Sequence, residues 1–159
     1  MIKKFIFVPL IILIISGCGY TPQYSSKNFT NFIIVIEKYN GPNEFNNQIN
    51  TQLKRYEKNT KAENIKIFKL EYNSNVDKNT TSKDITGNST EYQLLAKIDF
   101  IIKNEVEIIE FTLKESFKYD KISDLVAENE YEKTILKNMA NSLVNKLIFK
   151  LNRLNLDDN

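Results

Sequence analysis

The sequence predicts an α/β fold, a two-layer sandwich with a four-stranded sheet covered by two helices in the order β-α-β-β-β-α. Three observations carry this expectation. Two stretches, within residues 45–56 and 131–151, repeat apolar residues at helical spacing, each as a single stripe. Four others run apolar or alternate at strand length. Each helix stripe needs a surface to cover, and one sheet serves both. No second shift in composition divides the chain, so these elements form one domain over residues 32–156.

What precedes the domain differs in kind. Lys3 and Lys4 supply a positive start, residues 5–15 are apolar except for Pro9, and Ser16 and Gly17 are small. Cys18 follows at once. That order is the pattern of a bacterial lipoprotein signal, with residues 1–17 removed and Cys18 acylated as the new first residue. Eleven apolar residues are fewer than the roughly 20 that a spanning helix requires. Residues 18–31 then form a lipidated tether. From Gly19 to Asn31 they hold Pro22 and polar residues, and 13 of them extend to about 40 Å at most. Gly19, where an acidic residue commonly marks inner-membrane retention, leans the anchor towards the outer membrane.

Within the domain, residues 32–36 form a continuous β-branched run, as expected of an interior strand covered on both faces. Asn40-Gly41-Pro42-Asn43 is a turn with a proline suited to an early helical position. Phe45, Ile49, Leu53 and Tyr56 then lie on one helix face, and the helix is expected to end near Lys58. Residues 65–72 form the second strand. Ile67 is out of phase with Phe68, Leu70 and Tyr72, and a bulge near Ile67 or Phe68 would reconcile them. Residues 73–88 are polar, as in a long loop or an extended hairpin tip. Tyr92, Leu94, Ala96, Ile98, Phe100 and Ile102 alternate as a half-buried strand. A turn at Lys103-Asn104-Glu105 leads to a fourth strand, on which Ile109, Phe111, Leu113, Phe117 and Tyr119 share a face and Glu115 is the misfit. So short a turn makes the last two strands antiparallel. The final helix begins between Asp124 and Glu128 and runs to about Leu154, with Tyr131, Ile135, Met139, Leu143, Leu147 and Leu151 every four residues.

Charge and residue types narrow the function. The 22 basic and 20 acidic residues leave +2, and the signal alone accounts for it, because it removes two lysines and no acid. A near-neutral mature domain is unlike a nucleic-acid binder. Histidine is absent, which excludes His-dependent serine or cysteine nucleophiles and His-rich zinc sites. Cys18 is the only cysteine, so a lipid on it leaves no disulfide and the fold rests on its core. Glu115 is the one carboxylate on an apolar parity. It marks a sheet edge more readily than a glycosidase. These residues fit a binding or assembly protein without metal or cofactor, apart from the covalent lipid on Cys18.

Glu91-Tyr92-Gln93-Leu94, preceded by Gly87, followed by Ser116-Phe117 and by Ala127-Glu128-Asn129-Glu130, resembles the lipopolysaccharide-assembly lipoprotein family (LptE). Cys18-Gly19-Tyr20 is similar to that family's mature start. The likeness is tight over residues 86–151 and looser over 32–72. It implies a four-stranded sheet with two helices, and a domain seated in the lumen of an outer-membrane β-barrel. Such a lipoprotein helps the barrel assemble, plugs it, and assists lipopolysaccharide delivery to the cell surface. The alternative from another class is a periplasmic lipoprotein of similar fold that activates a cell-wall synthase. The family's basic residues towards lipopolysaccharide phosphates correspond here to Ile85 and Ala127, which cannot bind an anion through their side chains.

Strand direction suggests where replacements lie. A right-handed crossover makes strands one and two parallel, so strand three returns and strand four runs with strand two. Lys78, Lys83, Lys118 and Lys121 are then expected at the end of the sheet away from the tether, as candidate lipopolysaccharide-binding residues.

Overall fold

Seven elements follow one another in the computed structural model, which describes residues 32–57, 65–104 and 106–157. They are β1 (Phe32–Asn40), α1 (Asn43–Leu53), a 3-10 turn (Lys54–Tyr56), β2 (Lys66–Lys83), β3 (Ser89–Lys103), β4 (Ile108–Asp120) and α2 (Leu125–Asp157). The signal and the tether with Cys18 lie outside the described residues. The sheet order is β1-β2-β3-β4, with β1 and β2 parallel and the other two pairings antiparallel. This is the expected β-α-β-β-β-α sandwich.

One face of the sheet is apolar and covered. Phe68, Leu70 and Tyr72 of β2 and Leu94, Ala96, Ile98, Phe100 and Ile102 of β3 point into the core. Phe45, Ile49 and Leu53 of α1 and Leu143, Leu147 and Leu151 of α2 meet them there. The helix stripes thus do what their spacing requires, each closing half of one surface. Two polar contacts fix α1 on β2: the Tyr72 hydroxyl donates to Asn50 Oδ1 at 2.7 Å, and the Ser74 hydroxyl donates to Asn46 Oδ1 at 2.6 Å. Among the described residues no helix is long and apolar enough to cross a membrane.

Three local expectations are corrected, and for residues 73–88 the extended hairpin holds over the loop. β1 is an edge strand and not an interior one. Phe32 and Ile34 are buried, but Val35 is 42% exposed. The apolar run therefore does not report two covered faces. β2 pairs without a break from Lys66 to Leu70, so there is no bulge at Ile67, whose side chain is on the open face and 49% exposed. The irregularities fall instead between Ile36 and Lys38 and between Thr80 and Lys83. Residues 73–83 continue β2, because β3 supplies partners as far as Ser89, and the tip is only residues 84–88. The α-helical part of α1 stops at Leu53, and the 3-10 turn carries Tyr56 into the core.

Candidate functional site

The pairings Lys83 with Ser89 and Glu91 with Asp120 put the β2–β3 tip and the β4–α2 junction at one end of the sheet. The start of β1, paired with Lys66, lies at the other. Lys83 and Lys121 therefore share the hairpin end, and Lys118, opposite Gln93 and so level with Asn79, lies a few residues below it with Lys78.

The four lysines do not form one cluster. Lys78 has the parity of Tyr72 and Val76 and faces α2, where its ammonium is held at 2.9 Å by Glu128 and also by Glu132. It stands 4.1 Å over the Tyr92 ring. The Tyr119 hydroxyl donates to Glu132, which ties β4 into the same group. Burial by itself would lower the Lys78 pKa, but hydrogen bonds to Glu132 and Glu128 outweigh it and raise it. The Lys78 hydrogen bond holds Glu128 below the usual carboxylate range, against desolvation, with help from the Ile122 amide and Lys121. Desolvation and the bond to Glu132 push Tyr119 up to about 12. Lys78 is thus a strut between sheet and helix rather than a free cation. Sequence spacing alone did not reveal its partners, since 50 residues separate it from Glu128.

Lys118 has the opposite parity to Tyr119 and lies on the open face, 3.8 Å from Glu91. Lys83 and Lys121 form no ion pair among the described residues, and Lys121 donates its amide to the Thr90 carbonyl at 2.9 Å. The tip between Lys83 and Ser89 is ordered by one carboxylate. Asp84 Oδ1 accepts the amides of Thr86 and Asn88 at 2.8 and 2.9 Å and the Thr86 hydroxyl at 2.6 Å. Those bonds, the Thr86 hydroxyl first, lower the Asp84 pKa to about 2. Ile85 stands at the apex, fully exposed. Asp124 caps α2 by accepting the Val126 and Ala127 amides at 2.8 and 2.9 Å. Leu125 and Val126 beside it are 71% and 72% exposed. The hairpin end thus offers exposed apolar side chains and the ammoniums of Lys83 and Lys121, neither in an ion pair among the described residues, on backbone held by hydrogen bonds.

Glu115 sits on β4, which is the second edge of the sheet, and faces α2. Lys146 pairs with it at 2.8 Å and the Ser142 hydroxyl donates to it. The hydrogen bond from Lys146, then that from Ser142, holds its pKa down. An edge position explains a carboxylate on the apolar parity: the acid meets a helix lysine where the core thins out.

The crystal structure of the rare lipoprotein B from Shewanella oneidensis superposes with a TM-score of 0.57 at 16% identity, over 77% of this chain and 96% of that one. The chain has the fold of a rare lipoprotein. Lipoprotein B from Nitrosomonas europaea matches with a TM-score of 0.46 at 13% identity, over 78% of this chain and 84% of that one. A minor lipoprotein from Acinetobacter baumannii gives 0.44 at 14%, over 74% and 94%. No family model matches the sequence, and no curated protein matches it significantly.

Proposed function

We propose that this is an exported lipoprotein, anchored through Cys18 in the outer membrane, that sits in the lumen of a lipopolysaccharide-exporting β-barrel. There it helps the barrel assemble, plugs it, and assists lipopolysaccharide delivery. The lipoprotein signal at Cys18, the resemblance over residues 86–151 and the fold held in common with a rare lipoprotein support the reading. The observation that carries it is the hairpin end, where Lys83 and Lys121, neither in an ion pair among the described residues, share an end of the sheet with the exposed Ile85, Leu125 and Val126. Lipopolysaccharide has phosphates and acyl chains at one end, and this mixture of ammonium and apolar groups suits both. Lys118 contributes more weakly, because Glu91 offsets it, and Lys78 acts only by holding α2 against the sheet.

The test is direct binding of lipopolysaccharide by the mature chain. Lys83→Glu with Lys121→Glu should weaken binding and its salt dependence while the circular dichroism spectrum stays unchanged. Unaltered binding by that folded variant would reduce both lysines to surface charge.

A further inference from the structure

The opposite end of α2 carries a second charged surface. Over residues 133–156 the helix has five basic residues and no acidic one. Lys146, Phe149, Lys150 and Arg153 are spaced three, one and three apart, which places them on one stripe. With Leu154 they line a groove of about 410 Å³. Two contacts with β4 position the stripe: Lys146 with Glu115 at 2.8 Å, and the Lys150 ammonium 3.8 Å over the Phe111 ring. Glu115 neutralises Lys146, so Lys150 and Arg153 carry the net charge. Phe149, next to Lys150 and about one turn before Arg153, is 67% exposed. The inner face of the same turns is core, with Leu147 and Leu151 fully buried, so the stripe lies on the outward side of the helix.

Its location suggests the occupant. The helix contacts Tyr119 through Glu132, Glu115 through Lys146 and Phe111 through Lys150, so it runs antiparallel to β4. The pairings of Val35 with Lys69, Lys69 with Lys103 and Lys103 with Ile108 put the starts of β1 and β4 at one end. The last turns of α2 and the point where the chain leads back to Cys18 therefore share an end of the sheet. With the lipid on Cys18, a tether of at most about 40 Å keeps this end, and not the hairpin end, close to the membrane.

We propose that the stripe of Phe149, Lys150 and Arg153 docks on the anionic phospholipid headgroups of the membrane that holds the anchor. Two cations beside an exposed aromatic ring match such a surface: the charges meet phosphate and the ring enters the boundary between headgroup and acyl chain. The orientation rests on the anchor reading, whereas the affinity of the stripe for anionic bilayers does not.

The probe is the mature chain from residue 18 with Cys18→Ser, so that no acyl chain contributes. It is sedimented with phosphatidylcholine vesicles and with mixed phosphatidylcholine–phosphatidylglycerol vesicles. Binding is expected to the mixed vesicles only and should fall as salt is raised. One basic residue near such a surface is worth about fivefold in affinity. Arg153→Glu combined with Phe149→Ser should thus weaken binding at least about tenfold. Both side chains are exposed, so the fold should survive, as circular dichroism will check. Lys137→Glu, an exposed charge reversal nine residues before Lys146 and so on another face, should bind like the unchanged chain. Equal loss in the Lys137 variant, or none in the double variant, would overturn the proposal. Absence of lipid on Cys18, read separately by mass, would overturn the anchor and leave the vesicle result standing.

Discussion

Lys78 of β2 and Glu128 in the first turn of α2 lie 50 residues apart in sequence and form an ion pair at 2.9 Å. Glu128 is 7% exposed and its second oxygen accepts the Ile122 amide at 3.1 Å. One carboxylate therefore fixes both the end of β4's exit loop and the start of α2. It sets how the hairpin end is presented.

Lys78→Met leaves that carboxylate without its cation. Lys78 is itself 35% exposed, so water compensates in part, and a loss of about 2 kcal/mol is expected. For a domain of this size the thermal midpoint should fall by about 5–10 °C. Glu132→Gln, on the more exposed partner, should cost less. Thermal melts of the two variants check the order.

Acid should weaken the domain and mild alkali should not. Glu128 and Glu115 have lowered pKa values in the fold, so their stabilisation is present above the unfolded carboxylate value of 4.5 and is lost as pH falls below it. The Lys78 pKa is raised, so its contribution is complete below 10.5 and is lost as pH rises through the higher folded value. Urea midpoints measured across pH should form a plateau between these limits, with a shallower fall on the acid side in Glu128→Gln, where Glu115 still titrates.

Two glycines with positive φ should respond unequally. Gly41 joins β1 to α1 at φ +119°, and a Cβ there would meet the Ser74 carbonyl oxygen at 2.2 Å. Gly41→Ala therefore forces β2 and the β1–α1 turn apart and should cost about 3 kcal/mol or more. Gly87, at φ +86°, has open space around it, and Gly87→Ala should cost only about 1 kcal/mol. Chemical denaturation of both distinguishes steric from purely conformational strain.

Cys18→Ala should leave the precursor unprocessed and displace the protein from the outer-membrane fraction. Unchanged processing and fractionation would sink the anchor.

The elements were legible in the sequence because burial here follows simple periods. Tyr92 to Ile102 alternates and the four-residue ladder of α2 needs no context to be recognised. β1 misled because a run of β-branched residues fits an edge strand as well as a central one: Ile33 and Val35 simply occupy the open face. The second half of β2 was hidden for the opposite reason. From Asp77 onwards its residues are all polar, because the apolar core ends there and the strand is held by pairing with β3 and by the ion pairs of Lys78 with α2.

The candidate site was legible only as topology. Parallel β1 and β2 bring Lys83 and Lys121 to one end, with Lys78 and Lys118 a few residues below, as chain direction requires. The acids that claim Lys78 could not be foreseen, because Glu128 and Glu132 sit at polar positions of an amphipathic helix. Only the packing of α2 on the sheet brings them over Lys78 and Tyr119.

The central claim is a barrel partner, and co-purification tests it most directly. The mature, acylated chain carrying an affinity tag is recovered from envelope solubilised in detergent, and the proteins held with it are identified by mass. An outer-membrane β-barrel of the lipopolysaccharide-exporting kind is expected, retained through washing at high salt. Recovery of an inner-membrane cell-wall synthase in its place, with no barrel, would contradict it.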